Sequence, residues 1–174
     1  AGADNVYDVT VQVADGNGGT DTQAIAVTVT NVNEAPLITS DGGGATAVVS
    51  AAENQIAVTT VTSTDVDGGT AVYSIAGGAD AALFTINAST GALTFLARPD
   101  FEAPTDSGAD NVYDVTVQVA DGNGGTDTQA LAVTVTNVNE APVITSGAAV
   151  TVAENQTAVA TVATTDVDGG APVY

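Results

Sequence analysis

The chain has 174 residues, with 21 Asp and Glu against a single Lys or Arg and no His, which gives a formal net charge of −20 at pH 7. So negative a chain disfavours nucleic acid and anionic membranes as partners, because both would repel it. With 44% hydrophobic residues the chain can still bury a core, and its carboxylates must stay in solvent or be neutralised by metal ions.

Cysteine is absent, so the chain has neither disulfides nor thiol chemistry. An extracellular domain without disulfides needs another source of stability, and bound metal can supply it. No apolar run approaches 18 residues, which argues against direct membrane insertion. The sequence has no initiating Met and no signal peptide, so we expect a segment of a longer protein, whose missing signals say nothing about export.

An internal repeat is the main feature of the sequence. Residues 2–24 recur letter for letter at 108–130, and the match continues at a slightly shorter offset from AENQ at 52–55 to AENQ at 153–156. A repeat of this size is typical of a sandwich domain and too long for a solenoid. We therefore expect three segments: the C-terminal hairpin of a preceding repeat at 1–36, a complete repeat at 37–142, and the first strands of the following repeat at 143–174.

Strands are predicted from apolar and polar residues that alternate along the chain. Short runs of this kind lie at 58–63, 72–75, 83–86 and 93–96. Longer ones lie at 113–119 and around 131–135, and the turn-rich DGNGG at 121–125 joins them, which predicts the last hairpin of the repeat. About seven strands in this order predict an all-β fold of tandem Greek-key β-sandwiches.

Many of the acidic residues lie in loops, in five short motifs that recur with the repeat. The motifs are AEN, DVDGG, PDFE, ADGNGG and NVNEAP. Asp65 and Asp67 are two residues apart, as are Asp100 and Glu102, so in extended chain each pair leaves on one side. Two carboxylates about 4 Å apart repel by roughly 1 kcal/mol in water and by more in a desolvated site. We therefore expect a cation between them.

The motifs, in this order and at this spacing, resemble bacterial cadherin-like repeats of giant adhesins and other exoproteins, and the resemblance covers the whole chain. It implies cadherin- or immunoglobulin-like sandwiches with Ca²⁺ at the junctions between repeats. At the junction near 142 the resemblance implies these ligands: Glu53, Asp100, Glu102, Asn137, Asn139, Glu140, Asp166 and Asp168. At the junction near 36 it implies these: Asn31, Asn33, Glu34, Asp65, Asp67 and Asp121.

The ligand chemistry supports calcium independently of the resemblance. Ca²⁺ prefers six to eight oxygen ligands, and every candidate residue offers oxygen. Zinc or copper would favour His or Cys, which the chain lacks. The linker is less acidic than the family's pattern, because Asn137 stands where an Asp is usual and Ala141 offers only its backbone oxygen. We expect fewer or weaker ions at each junction than in animal cadherins.

Two other interpretations of the acidic motifs exist. Asp, Asn and Gly are also the residues that tight turns require, so DVDGG and ADGNGG could be turns alone. Asp100 and Glu102 could form a glycosidase pair, but the chain has few aromatic residues to stack a sugar and no cleft-forming insertion. We expect no enzymatic activity.

The function expected from these features is mechanical. Calcium would fix adjacent repeats at one angle and turn a flexible string into a rod, which holds a terminal module away from a bacterial cell, for example in a biofilm. The partners would then be calcium ions and the adjacent repeats. Two alternatives stay open: repeats that bind glycans or one another, and repeats that assemble laterally in a surface layer or filament.

Overall fold

The computed structural model describes residues 4–170 and 173, so the outermost residues of the predicted first and last segments lie outside it. The chain forms two compact units, Ala1–Glu34 and Ala35–Tyr174. The second unit contains both the predicted complete repeat and the predicted opening strands of the next. The described residues include no helix with the length and hydropathy of a membrane span.

The first unit is a β-hairpin of strands β1 (Val6–Ala14) and β2 (Thr20–Thr28), which pair antiparallel. The turn between them is organised by Asp15, whose Oδ1 accepts hydrogen bonds from the backbone N–H groups of Asn17 (2.8 Å) and Gly19 (2.9 Å). These bonds are the Asx-turn chemistry expected of DGNGG. They also hold the pKa of the Asp15 carboxyl below its usual value.

The second unit contains eleven strands within the described residues, and their bounds are β3 (Leu37–Ile38), β4 (Thr46–Ala52), β5 (Ala57–Thr60), β6 (Ser63–Thr64), β7 (Val72–Gly77), β8 (Phe84–Ile86), β9 (Ala92–Phe95), β10 (Val112–Ala120), β11 (Thr126–Thr136), β12 (Val143–Ile144) and β13 (Thr164–Thr165). One sheet has the order β4-β11-β10-β7 and another β5-β9-β8, while β3 pairs with β6 and β12 with β13. Short 3₁₀ turns lie at Ser40–Gly42 and Ala81–Leu83.

The two larger sheets enclose one core, as a β-sandwich requires. Buried apolar side chains alternate along β10 and β11, which confirms the predicted hairpin. Leu131, Val133 and Val135 lie on its buried face. In the core the rings of Phe84 and Phe95 stack with centroids 4.6 Å apart, and both meet Tyr113 edge-on. Tyr73 is also buried, and its hydroxyl lies 3.0 Å from Oγ of Ser63.

Strand β4 is the one long strand that the alternation pattern did not predict. Its sequence, TAVVSAA, is rich in small residues, which have weak strand propensity. It is extended because it pairs in parallel with β11, from Thr46 opposite Ala130 to Ala52 opposite Thr136. This pairing joins residues more than 80 positions apart, which a local pattern does not reveal.

Candidate metal centre

The parallel pairing of β4 with β11 places two acidic motifs at the same end of the sheet. Ala52 lies opposite Thr136, so the residues that follow, Glu53 and Asn137, leave the sheet together. The backbone N–H of Glu53 donates to the carbonyl of Thr136 over 3.0 Å. The AEN turn therefore meets the NVNEAP linker because of strand register.

Glu53 lies at the centre of this meeting point and is only 3% exposed. Its Oε1 accepts from the backbone N–H of Val138 over 2.7 Å, and its Oε2 accepts from that of Phe101 over 2.9 Å. A buried carboxylate must be hydrogen-bonded or paired to be tolerated. Glu53 thereby ties the PDFE loop to the linker.

Two further carboxylates approach Glu53. One ligand oxygen from each of Glu53, Glu102 and Glu140 lies within 4.8 Å of the other two. The three come from the AEN turn, the PDFE loop and the linker, which are separated in sequence. At such distances like charges repel, and the repulsion grows as the site loses solvent.

The downstream segment adds a fourth carboxylate. Both oxygens of Asp168 are engaged by the linker: Oδ1 accepts from Nδ2 of Asn137 (2.8 Å) and Oδ2 accepts from the backbone N–H of Glu140 (2.6 Å). Nδ2 of Asn137 also donates to Oε1 of Glu102 over 2.6 Å. The linker thus connects the PDFE loop on one side with the downstream DVDGG loop on the other.

The electrostatics of the cluster are uneven. Partial burial raises the pKa of Glu102, and the charges of Glu53, Asp168 and Glu140 add to the effect. Burial likewise raises the pKa of Glu140, against a hydrogen bond donated by Asn54. The pKa of Asp168 is lowered, mainly by the N–H of Glu140 and the amide of Asn137. The ionised forms of Glu102 and Glu140 are therefore disfavoured in the cluster, whereas hydrogen-bond donors stabilise the ionised form of Asp168.

A divalent cation fits this donor set. Oε2 of Glu140 is buried and accepts no hydrogen bond within the described structure. Such an orphaned oxygen in an acidic cluster indicates a missing partner. The surrounding donors are carboxylate and amide oxygens, which suit a hard cation such as Ca²⁺. Glu53, Glu102, Glu140 and Asp168 would hold it, with Asn137 offering its amide oxygen.

The other residues predicted for this junction shape its loops. Oδ1 of Asp100 accepts from the backbone N–H groups of Glu102 (3.0 Å) and Ala103 (3.1 Å). Oδ1 of Asp166 accepts from the N–H of Asp168 over 3.2 Å, and Nδ2 of Asn139 donates to the carbonyl of Glu140 over 2.9 Å. Each of these bonds fixes the backbone next to a member of the cluster.

The residues predicted for the junction near 36 are divided between the two units. Asn31, Asn33 and Glu34 follow the first hairpin, and Nδ2 of Asn33 donates to the carbonyl of Glu34 over 3.1 Å. The remaining three belong to the second unit, where Asp65 and Asp121 line one pocket of about 150 Å³. The grouping of all six residues as one site stays a prediction.

The Asp side chains of DVDGG and ADGNGG also make the hydrogen bonds expected of tight turns. Oδ1 of Asp65 accepts from the backbone N–H of Asp67 over 2.9 Å. Oδ1 of Asp121 accepts from the N–H groups of Asn123 (2.7 Å) and Gly125 (3.0 Å). One carboxylate oxygen is thus used by the turn, which leaves the ligand role of these residues untested.

Asn54 was not among the predicted site residues, but its Nδ2 donates to Oε1 of Glu140. Its left-handed backbone (φ 63°) is a conformation that Asn tolerates, and its position beside Glu53 in AEN was the available signal. Two buried carboxylates outside the recurring motifs were also missed. Asp80 accepts from the N–H groups of Ser107 and Asp114, and Asp106 accepts from those of two residues in its own loop.

Comparison with known proteins gives one family and one fold. A family model described as a bacterial Ig domain matches residues 33–134. No curated protein matches the chain. Among solved structures, the chain is similar to protocadherin gamma B2 extracellular cadherin domains 3–6, with a TM-score of 0.58 and 22% identity over 80% of this chain and 35% of that one.

Two other cadherin structures give the same result. Protocadherin gamma B7 extracellular cadherin domains 1–4 match with a TM-score of 0.60 and 22% identity, over 97% of this chain and 42% of that one. Human CDH23 EC21–23 matches with a TM-score of 0.61 and 17% identity, over 95% of this chain and 55% of that one. The chain therefore spans about half or less of the length of these proteins, and the likeness establishes a cadherin-like β-sandwich fold.

Proposed function

Because the chain belongs to the bacterial Ig domain family, we propose that it is a run of calcium-rigidified spacer repeats of a secreted or cell-surface bacterial adhesin. The proposal assigns the chain a structural role and no catalysis. A terminal module, carried by the same protein, would be held away from the cell by a rod of such repeats.

The observation that carries the proposal is the cluster formed by Glu53, Glu102, Glu140 and Asp168. The first two belong to the complete repeat, the third to the linker and the last to the DVDGG loop of the following segment. A cation held by this set would bind the repeat, the linker and the next segment at once. That arrangement is what a junction clamp requires.

The mechanical effect follows from charge neutralisation. Without a cation, the like charges of the cluster favour conformations in which the linker moves away from the PDFE loop. A bound Ca²⁺ converts that repulsion into attraction and adds RT ln(1 + [L]/Kd) to the stability of the closed junction, about 2.7 kcal/mol at a hundredfold excess over Kd. Calcium binding would therefore both stiffen the junction and raise its free energy of unfolding.

Calorimetric titration of the 174-residue chain with CaCl₂ tests the proposal. We expect saturable binding and a higher melting temperature in calcium than in chelator. Glu140→Gln should weaken the binding, because it removes a charge from the cluster. Asp114→Asn is the matched control, since Asp114 is exposed on β10 outside the cluster. Equal melting temperatures with calcium and with chelator would refute calcium rigidification.

A further inference from the structure

Asparagine is followed directly by glycine at two places in the sequence, Asn17 and Asn123. Both occupy the third position of the recurring DGNGG, the loop that joins the two strands of a hairpin. Every other asparagine of the chain precedes a residue with a side chain. Glycine has no Cβ to hinder its own backbone nitrogen, so this nitrogen can approach the preceding side chain closely. The two pairs are therefore the positions at which backbone and amide side chain are able to react.

The side chain of Asn123 is exposed and open to attack. Its backbone N–H donates to Oδ1 of Asp121 over 2.7 Å, but its side-chain amide makes no hydrogen bond with any residue that the structure describes. Asn87 is different, because its Oδ1 accepts from the backbone N–H groups of Ser89 and Thr90, each over 3.0 Å, and alanine follows it. The amide of Asn87 is thus held in a turn, whereas that of Asn123 is not.

The nitrogen next to this amide belongs to Gly124. The hydrogen bonds of the loop to Oδ1 of Asp121 come from the N–H groups of Asn123 and Gly125, and the N–H of Gly124 makes none within the described part of the chain. Gly124 has φ +107°, and a Cβ there would meet nothing within 4 Å. The backbone around this nitrogen therefore has room to rotate towards the side chain of Asn123.

We propose that Asn123 is a site of spontaneous deamidation, at which the loop converts its own asparagine into isoaspartate and aspartate. The nitrogen of Gly124 attacks Cγ of Asn123, and a C–N bond forms in a succinimide ring. The Nδ2 group leaves as ammonia, with the proton that the nitrogen of Gly124 gives up. Water then opens the ring at either carbonyl. Asparagine and water thus become a carboxylic acid and ammonia, with no oxidant, reductant or cofactor.

The isoaspartate product changes the geometry of the loop. Its main chain runs through the former side chain, which inserts an extra CH₂ group before Gly124. Oδ1 of Asp121 accepts from the N–H groups on both sides of this point, those of Asn123 (2.7 Å) and Gly125 (3.0 Å). Lengthening the chain between the two donors disrupts this arrangement. Asp121 is only 7% exposed and lines a pocket with Asp65, so the modification loosens a buried carboxylate and adds a negative charge near it.

The first hairpin has the same loop, which extends the inference to Asn17. Oδ1 of Asp15 accepts from the N–H groups of Asn17 (2.8 Å) and Gly19 (2.9 Å), and Gly18 has φ +104°. The bonds and the backbone conformation are those of the second loop. Because the reaction depends on the loop alone, both asparagines should be modified. The inference is also independent of calcium binding.

The first experiment incubates the full 174-residue chain at neutral and mildly basic pH, in chelator and below its melting temperature. Peptide mass mapping should show Asn123 and Asn17 exchanging NH for O over time, while Asn87 stays intact in the same sample. Isoaspartate should be the main product, detected with an isoaspartyl methyltransferase. If Asn123 keeps its amide as completely as Asn87, the proposal is overturned. Conversion in urea but not in the folded protein also overturns it, because the folded loop would then protect Asn123.

The second experiment isolates one site and reads its effect on the loop. Asn17→Gln leaves Asn123 as the remaining Asn-Gly pair, and Asn17→Gln/Asn123→Gln is the matched control, since Gln must close a larger and slower ring. After incubation the single variant should give an additional, more acidic fraction on anion exchange, and the double variant should not. Equal acidification of both would overturn the assignment of the site. We expect the acidic fraction to unfold at a lower urea concentration than the fresh protein, and an unchanged midpoint would overturn the loosening of Asp121.

Discussion

The backbone N–H of Glu140 donates to Oδ2 of Asp168 over 2.6 Å, so a residue of the linker and a residue of the following segment share one hydrogen bond inside an acidic cluster. This bond orients Asp168 towards Glu102 and Glu140. Asp168 is therefore the position at which a substitution tests the coupling between the linker and the segment that follows it.

Asp168→Asn should weaken calcium binding roughly tenfold, about 1.4 kcal/mol, because it removes one of the charges that hold the cation. It should also lower the melting temperature in chelator modestly, because the side chain of Asn can keep the bond from Glu140 but then presents its amide to the donor Nδ2 of Asn137. Calorimetric titration and melting curves of the two proteins check this. Equal calcium affinity in variant and wild type would show that Asp168 is a backbone acceptor and no ligand.

Glu53→Gln should destabilise the repeat even without calcium. Both carboxylate oxygens of Glu53 accept backbone N–H groups, and the amide of Gln would present a donor to one of them. Leaving a buried donor unsatisfied costs about 1–3 kcal/mol. Urea unfolding in chelator measures the loss. If the variant is as stable as wild type, the carboxylate does not hold the PDFE loop to the linker.

Glu102→Gln should stabilise the metal-free protein at neutral pH and weaken calcium binding. Burial and like charges raise the pKa of Glu102, so ionisation of this group opposes folding above the raised value. The advantage of the variant should be full at neutral pH and should disappear as the pH falls through the raised pKa to below the usual value of 4.5.

Melting curves of wild type and Glu102→Gln, measured in chelator across this pH range, show which of the two proteins is more stable at each pH. The two curves should converge at acidic pH. A variant less stable than wild type at neutral pH, in the absence of metal, would contradict the electrostatic account of the cluster.

Asp106→Asn should destabilise the repeat by about 1–2 kcal/mol through lost charge-assisted hydrogen bonds, with calcium affinity unchanged. Burial opposes the charge on Asp106, but the N–H groups of Asp110 (3.0 Å) and Asn111 (3.1 Å) outweigh it and lower its pKa. Its contribution to stability is present above the usual pKa of 3.8 and is lost as the pH falls through the lowered value. A change in calcium affinity would link this loop to the metal cluster.

Gly91→Ala should destabilise the sandwich by about 2–3 kcal/mol. Gly91 has φ +70°, and a Cβ there would overlap the carbonyl oxygen of Val61. Gly77→Ala is the control, because nothing lies within 4 Å of a Cβ at that position and its φ is not in the left-handed region. Urea unfolding should separate the two variants clearly. Similar stabilities would mean that the chain shifts easily at Gly91.

The alternation of residues along 113–119 and 131–135 predicted the long hairpin and its buried face without any tertiary information. Side chains of a strand point to opposite faces with a period of two, so the pattern itself identifies the side that faces the core. The same holds for the turn at 121–125, whose Asp and Gly residues have a local backbone requirement. The all-β sandwich was predictable because these signals are local.

The composition of the chain also limited the metals that the candidate site could bind. A chain without His and Cys offers a metal only oxygen, which limits the choice to hard cations. The resemblance to cadherin-like repeats implied that the recurring acidic motifs would meet at junctions. The sequence did not distinguish Glu102, which lies in the cluster, from Asp100, which binds its own loop.

That distinction belongs to tertiary structure, and its cause is strand register. Parallel pairing of β4 with β11 brings Glu53 to the linker, and the N–H of Glu140 brings Asp168 from the following segment. These pairings join residues that are distant in sequence, and no local propensity specifies them. The sequence by itself determined strands, turns and the type of donor, whereas the fold decided which carboxylates share one small volume.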